Sequence, residues 1–266
     1  MNRKYIPFFT LLISITMSCL STTSVTQEAN DKKGDLWIFS VGINKYSDNQ
    51  KYPNLSYAAS DALNLTLAFE AQKGKAFDNV NILLITDENN ASTKDNILSN
   101  LSYLQKSKPE DTIIIYFAIH SIIQDDIFYL LPSDFKHETA DRLVPASMIN
   151  FNDITRELNM PGKKIIILDT HYSESVFTIA SEKGLAIFGA CTNNEHALES
   201  AVFGGGLFTM SIIHVLNENI ETNGTITLSS VSILVTERVN RMSRNRQTPV
   251  SYIPSNMIDL ILGTRE

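Results

Sequence analysis

Apolar residues along the chain fall into two alternating textures. Short runs rich in β-branched and aromatic residues, Leu36 to Asn44, Val80 to Thr86 and Thr112 to Ala118, read as strands. Between them apolar residues recur at helical spacing. Leu55 to Gln72 places Ala58, Ala62, Leu65 and Phe69 on one helical face. Ser92 or Thr93 is suited to cap a second helix running through Ile97, Leu101 and Leu104. Thr112 to Ala118 has no polar alternation, which predicts a strand buried on both faces at the centre of a parallel sheet. Ile127 to Leu131 is the expected return arm of a hairpin, and Phe151 to Leu158 a helix stopped by Pro161-Gly162. Lys164 to Leu168 and Leu185 to Ala190 read as two further buried strands. Gly206 to Leu216 and Leu228 to Met242 are helical by spacing, and Met257 to Leu262 is the expected last strand.

Strand and helix in repeated alternation imply right-handed crossovers, hence an α/β fold of three layers with a mostly parallel β-sheet flanked by helices. Ligands and chemistry in such sheets gather at the carboxyl ends of the strands. With 266 residues, 43% of them apolar, the chain can bury one large core. A net charge of −7 excludes a dedicated nucleic-acid binder, which needs a basic face to displace counterions. The one dense basic stretch, Arg238, Arg241, Arg244 and Arg246, reads as a solvated helix end.

The first residues read as an export signal. Arg3 and Lys4 precede an apolar stretch, Tyr5 to Met17, too short to span a bilayer as a mature helix. It ends at Ser18-Cys19, which resembles a lipobox with Cys19 as the lipidated residue, although Thr16 departs from the usual aliphatic residue. The expected division is a signal peptide over 1–19, a polar tether over 20–34 and one domain over 35–263. The expected location is outside the cytoplasm, on a membrane through the lipid anchor; a plain secretory signal, and with it a periplasmic or secreted protein, is the alternative. Cys19 and Cys191 are the only cysteines, so lipidation of the first leaves no disulfide for the mature chain.

Reactive side chains stand at three successive strand ends. They occur in Ala118-Ile119-His120-Ser121, in Leu168-Asp169-Thr170-His171-Tyr172-Ser173 and in Phe188-Gly189-Ala190-Cys191. Adjacent strands lie about 4.8 Å apart, so these ends fall within side-chain reach if the strands are neighbours. The stretch Tyr116-Phe-Ala-Ile-His-Ser121, followed by Tyr129-Leu-Leu-Pro-Ser-Asp134, resembles the caspase and metacaspase pattern around the dyad histidine. Ile167-Leu-Asp-Thr-His-Tyr-Ser173 is similar to that family's Leu-Asp-Ala-Cys-His-Ser. Val41-Gly-Ile-Asn-Lys-Tyr46, Leu55 with Ala59-Ser-Asp-Ala62, Ala197-Leu-Glu-Ser200 with Gly206-Leu-Phe-Thr209, and Arg246-Gln-Thr-Pro249 resemble the family in the same order.

The resemblance implies a caspase-like fold over about residues 35–262. It assigns His120 to the dyad histidine and puts His171 where the nucleophilic cysteine belongs. Ile119 and Ser121 replace the glycines flanking the dyad histidine, Tyr172 replaces a histidine and Glu174 a glycine. Departures crowd the site while the scaffold motifs persist, the pattern of a pseudoprotease. Loss of the nucleophile costs a comparable protease about a millionfold in turnover. The resemblance also assigns Asp61 and Asp169 to reception of a basic side chain, so the expected partner is a peptide or protein ligand carrying Lys or Arg. No cofactor is implied. Two alternatives stay open at this point: a working endopeptidase cleaving after Arg or Lys with His120 and Cys191 as its pair, or a metal site built from His120, His171 and Cys191.

Overall fold

The computed structural model describes Met1 and residues 33–46, 48, 50–87, 92–218 and 224–265. Cys19 and most of the expected export signal and tether lie outside the described residues. Among these residues no helix is long and apolar enough to cross a membrane.

The apolar runs form the main sheet. Its members are β1 (Leu36–Gly42), β2 (Val80–Thr86), β3 (Thr112–Ala118), β9 (Lys163–Asp169), β10 (Ala186–Gly189) and β14 (Val250–Tyr252), in the spatial order β14-β10-β9-β3-β1-β2. The five consecutive strands from β10 to β2 are parallel, and β14 closes one edge antiparallel to β10. Every residue of β3 is buried, as its unbroken apolar run requires of a central strand. Ile113, Ile115 and Phe117 point into one core layer, Ile114, Tyr116 and Ala118 into the other. Each fully buried side chain of this size contributes roughly 1.5–3 kcal/mol of transfer free energy.

Helices cover both faces. The helices α1 (Ala58–Glu70), α5 (Leu207–Glu218) and α6 (Leu228–Ser243) pack on the Ile114 side through Leu65, Phe69, Ile212 and Val235. On the other side lie α2 (Lys94–Asn100), α3 (Phe151–Glu157) and α4 (Phe177–Lys183), through Ile97, Ile154 and Ala180. Thr93 caps α2, accepting from the Asn96 amide at 3.4 Å. A second sheet, β4 (Ser121–Gln124), β5 (Ile127–Leu130) and β8 (Ile149–Asn150), follows β3 directly. Small ribbons complete the chain. They are β6 (His137–Thr139) with β7 (Arg142–Leu143), β11 (Glu199–Ser200) with β12 (Gly205–Gly206), and β13 (Thr225–Thr227) with β15 (Ile261–Thr264).

One expected strand is corrected. Ser255–Met257 is a 3₁₀ turn, and the strand after it, β15, pairs with β13 away from the main sheet. The last strand of the main sheet is instead Val250–Tyr252, which follows Pro249 and is too short to carry a periodic signal.

The end of β1 sits hard against the start of α1. A Cβ at Gly42 would lie 2.2 Å from the Ala58 carbonyl oxygen, so glycine is required there. That approach carries the first turn of α1, and with it Asp61, to the carboxyl end of the sheet.

Candidate functional site

Ala118 and Asp169 are register partners on the adjacent parallel strands β3 and β9. His120 and His171 each lie two residues further on, so the two imidazoles emerge at the same height from neighbouring strand ends. Both line one cleft of about 400 Å³, counting the part open to solvent, together with Asp61, Asp169, Ala197 and Glu199.

His120 is held from three directions. Its backbone N–H donates to the Tyr46 hydroxyl at 2.9 Å, its Nε2 lies 2.7 Å from the Pro53 carbonyl, and the Tyr46 ring packs beside it at 4.8 Å. A carbonyl only accepts, so Nε2 carries the proton and Nδ1 keeps the lone pair. Burial pulls this imidazole below the ordinary histidine pKa, an effect larger than the opposing contributions of the Pro53 carbonyl and Glu199.

His171 holds the same tautomer, fixed from its other ring nitrogen. Its Nδ1 accepts the Ala197 backbone N–H at 3.0 Å, which puts the ring proton on Nε2. Burial, reinforced by His196 at a ring separation of 4.7 Å and by His120, holds its pKa down at about 4. At neutral pH the ring is therefore uncharged, and its one lone pair is already engaged. Ser121, which stands where the resemblance calls for glycine, ties the two strand ends together. It donates to the His171 carbonyl at 2.7 Å and accepts from Thr170 Oγ1 at 2.7 Å. Tyr172 adopts the left-handed region, with φ of 55°, unusual for a bulky residue.

Carboxylates line the other side of the cleft. Asp61, 2% exposed, accepts the Gly206 N–H at 2.8 Å through Oδ2, while its buried Oδ1 has no hydrogen-bond partner among the described residues. Asp169 accepts from Thr209 Oγ1 at 2.6 Å, and the Tyr116 hydroxyl in turn lies 2.7 Å from Thr209. Desolvation first, then the Asp169 charge, pushes the Asp61 carboxyl up to about 8, and desolvation lifts Asp169 to about 6. Glu199 accepts the amides of Ser56 and Tyr57 at 2.9–3.1 Å, a carboxylate at the start of α1 where the helix dipole favours it. Among the described residues no lysine or arginine lines this cleft.

The structure brings Asp61, His120, Asp169 and His171 together. Cys191 differs from them in its surroundings: it is fully buried, and its Sγ faces the carbonyls of Glu195 at 3.4 Å and Thr170 at 3.7 Å. Burial and the nearby Asp169 and Glu195 charges push the thiol up to about 12, the environment of an inert thiol rather than a thiolate nucleophile. The metal alternative is corrected on the same geometry. Among the described residues no group of three or more His, Cys, Asp or Glu is placed to hold a metal ion. His171 Nδ1 is spent on Ala197, and Cys191 is turned towards backbone carbonyls, so His120, His171 and Cys191 do not form a ligand set.

Several site groups have no signature in a single sequence. The Pro53 carbonyl and the Ala197 N–H are backbone atoms that any residue supplies. Gly206 matters because a Cβ there would lie 2.6 Å from Asp169 Oδ2 and 3.1 Å from Asp61 Oδ2. Glu199 lies inside the motif Ala197-Leu-Glu-Ser200, which was the available signal. The loop bearing Ala197 is fixed by Gln247, fully buried, which donates to the Ala190 carbonyl at 3.0 Å and accepts the Leu198 N–H at 3.1 Å.

No protein-family model matches the chain, and no curated protein matches it. Solved structures do. Protein GSU0716 from Geobacter sulfurreducens aligns with a TM-score of 0.59 at 11% identity, over 85% of this chain and 97% of that one. The Drosophila initiator caspase Dronc aligns with a TM-score of 0.54 at 12% identity, over 84% of this chain and 80% of that one. The class defined by this fold is a caspase-like α/β domain with a mostly parallel sheet flanked by helices.

Proposed function

We propose that this chain is an exported caspase-fold pseudoprotease, anchored through Cys19, that binds Lys- or Arg-bearing peptides without cutting them. The observation that carries the reading is the cleft carboxylate pair. Asp61 and Asp169 are held side by side with Glu199 nearby, with no lysine or arginine among the lining residues and with Asp61 Oδ1 unpartnered. Buried carboxylates without a cation or several hydrogen bonds are costly, and a guanidinium or ammonium from a ligand supplies both charge and donors.

The side chain at position 171 supports the absence of cutting. A nucleophile needs an available lone pair, and the lone pair of His171 Nδ1 is held by the Ala197 N–H while Nε2 carries the proton. His171 is instead a donor into the cleft, suited to a peptide carbonyl. Cys191 offers no substitute, being protonated and turned away. Its use as a displaced nucleophile would require breaking its contacts with Thr170 and Glu195 and ionising a strongly desolvated thiol.

Titration calorimetry with N-acetyl-arginine amide and its uncharged isostere N-acetyl-citrulline amide tests the reading. Binding of the first, no detectable binding of the second, and loss of the first in Asp169→Ala are expected. Equal binding of both compounds, or undiminished binding by Asp169→Ala, would overturn it.

A further inference from the structure

The first strand after His120 has an edge that nothing in the described fold uses. In the second sheet the strands run β4-β5-β8, so β5 is the only strand partner of β4 among the described residues. The hairpin turns on Asp125 and Asp126, with φ of 54° and 59°, the geometry of a two-residue type I′ turn. In such a hairpin the flanking pair, Gln124 with Ile127, exchanges both ladder bonds, as does Ile122 with Tyr129 two residues on. Ser121 and Ile123 sit at the alternate positions, so their backbone N–H and C=O groups point away from β5.

That outward edge borders an open groove of about 1070 Å³, counting the space open to solvent, whose lining includes Ser121, Ile122, Ile123 and Gln124 together with the ion-paired Lys51 and Asp141. The groove shares both His120 and His171 with the acidic cleft, so the two adjoin at the histidine pair. Gln124 closes its far end, with its side-chain amide donating to the Leu143 carbonyl and accepting the Leu143 N–H, both at 3.0 Å. Ile123 is left 42% exposed, an apolar side chain on a free strand edge. Natural sheets usually blunt such an edge with charge, proline or a covering loop, and neither charge nor proline stands at Ile122 or Ile123.

We propose that this edge receives the backbone of the same peptide whose basic side chain enters the acidic cleft: an extended segment adds to β4 as a fourth strand, pairing with Ile123. The inference rests on the basic-side-chain reading of the cleft, and the two histidines that cleft and groove share argue for one polypeptide as the occupant of both. Ile123 lies three residues beyond His120, about 10 Å along an extended strand, so a residue some three positions from the basic one meets it. Main-chain bonds supply the affinity, and an apolar side chain on the peptide packs against Ile123. One reciprocal pair of backbone hydrogen bonds is worth about tenfold in affinity or more.

The test uses the full chain and two probes, N-acetyl-arginine amide and a nine-residue peptide with a central arginine flanked by valine and threonine, titrated by calorimetry. The extended peptide is expected to bind about tenfold tighter or more. A scan of single backbone N-methylations, which leaves the protein unaltered, is expected to abolish the gain near the third residue on one side of the arginine. Ile123→Pro, which removes the outward N–H at a position where an edge strand tolerates proline, is expected to abolish the same gain. Equal affinity of the two probes overturns the strand pairing while the acidic cleft reading stands. A gain insensitive to every N-methylation overturns it as well. Failure of both probes to bind overturns the cleft reading, and the strand pairing with it.

Discussion

Replacing Asp61 by asparagine isolates the cost that the cleft imposes on the fold. The carboxyl is 2% exposed, faces Asp169 and Glu199, and has one oxygen without a hydrogen-bond partner. Its pKa is raised to about 8, whereas in the unfolded chain it lies near the ordinary aspartate value. A carboxyl whose folded pKa is raised holds its proton in the native state after the unfolded chain has released it. Its contribution to stability is therefore intact at low pH and is lost as pH rises through the window ending near pH 8. Between pH 6.5 and 8.5 a single site of this kind removes about 2 kcal/mol. For a domain of this size that is about 4–8 °C in Tm.

An asparagine in that place would keep an acceptor for the Gly206 N–H and cannot ionise, so Asp61→Asn is expected to show almost none of this loss. Asp169 completes most of its titration below the window, being raised only to about 6, and His171, held down at about 4, makes stability rise slightly as the unfolded histidine deprotonates, equally in both proteins. The lowered His120 makes stability rise slightly as the unfolded histidine deprotonates, equally in both proteins. Urea unfolding at pH 6.5, 7.5 and 8.5 on wild type and variant reads the difference. Parallel pH profiles for the two proteins would refute the reasoning, because they would mean that Asp61 ionises in the fold as freely as in the unfolded chain.

Gly206→Ala is expected to remove binding of arginine amide while the protein stays folded, since the added methyl would lie 2.6 Å from Asp169 Oδ2; calorimetry and circular dichroism check the two halves. Cys191 is expected to resist iodoacetamide in the native protein and to label only on unfolding, with the same rate in His120→Ala, as mass spectrometry would show. In NMR titration the His171 ring is expected to stay neutral down to about pH 4, with its proton on Nε2; a midpoint near the ordinary histidine value would contradict the Ala197 contact. Gln247→Ala, which leaves the Ala190 carbonyl and Leu198 N–H without their shared partner, is expected to lower stability by about 1–3 kcal/mol in urea unfolding.

How much of this was legible in the sequence depends on how far each signal reaches along the chain. β3 announced itself because seven buried residues without polar alternation admit few other readings, and the strand-end rule then pointed to His120 and His171. Asp61 and Asp169 were accessible through their motifs. Val250–Tyr252 was missed because a three-residue edge strand has no period, and its place in the sheet is set by packing against β10. Glu199 and Gly206 escaped for a different reason: their work is done against residues more than a hundred positions away, through the start of α1 and through Asp61. The tautomers of the two histidines depend on Pro53 and Ala197 backbone atoms, whose positions only the folded chain fixes.

The exposed strand edge at Ile123 and the carboxylates at Asp61 and Asp169 are both expensive features for a folded domain to retain. A ligand that neutralises the second while pairing with the first relieves both, which is the physical sense in which site and fold are coupled. The most direct trial of non-catalytic binding is a cleavage assay with fluorogenic Arg- and Lys-terminated peptides on wild type and His171→Cys, run in parallel. The wild type is expected to bind these peptides and release no fluorophore. Steady hydrolysis by the wild type that persists in Cys191→Ala would contradict the central claim.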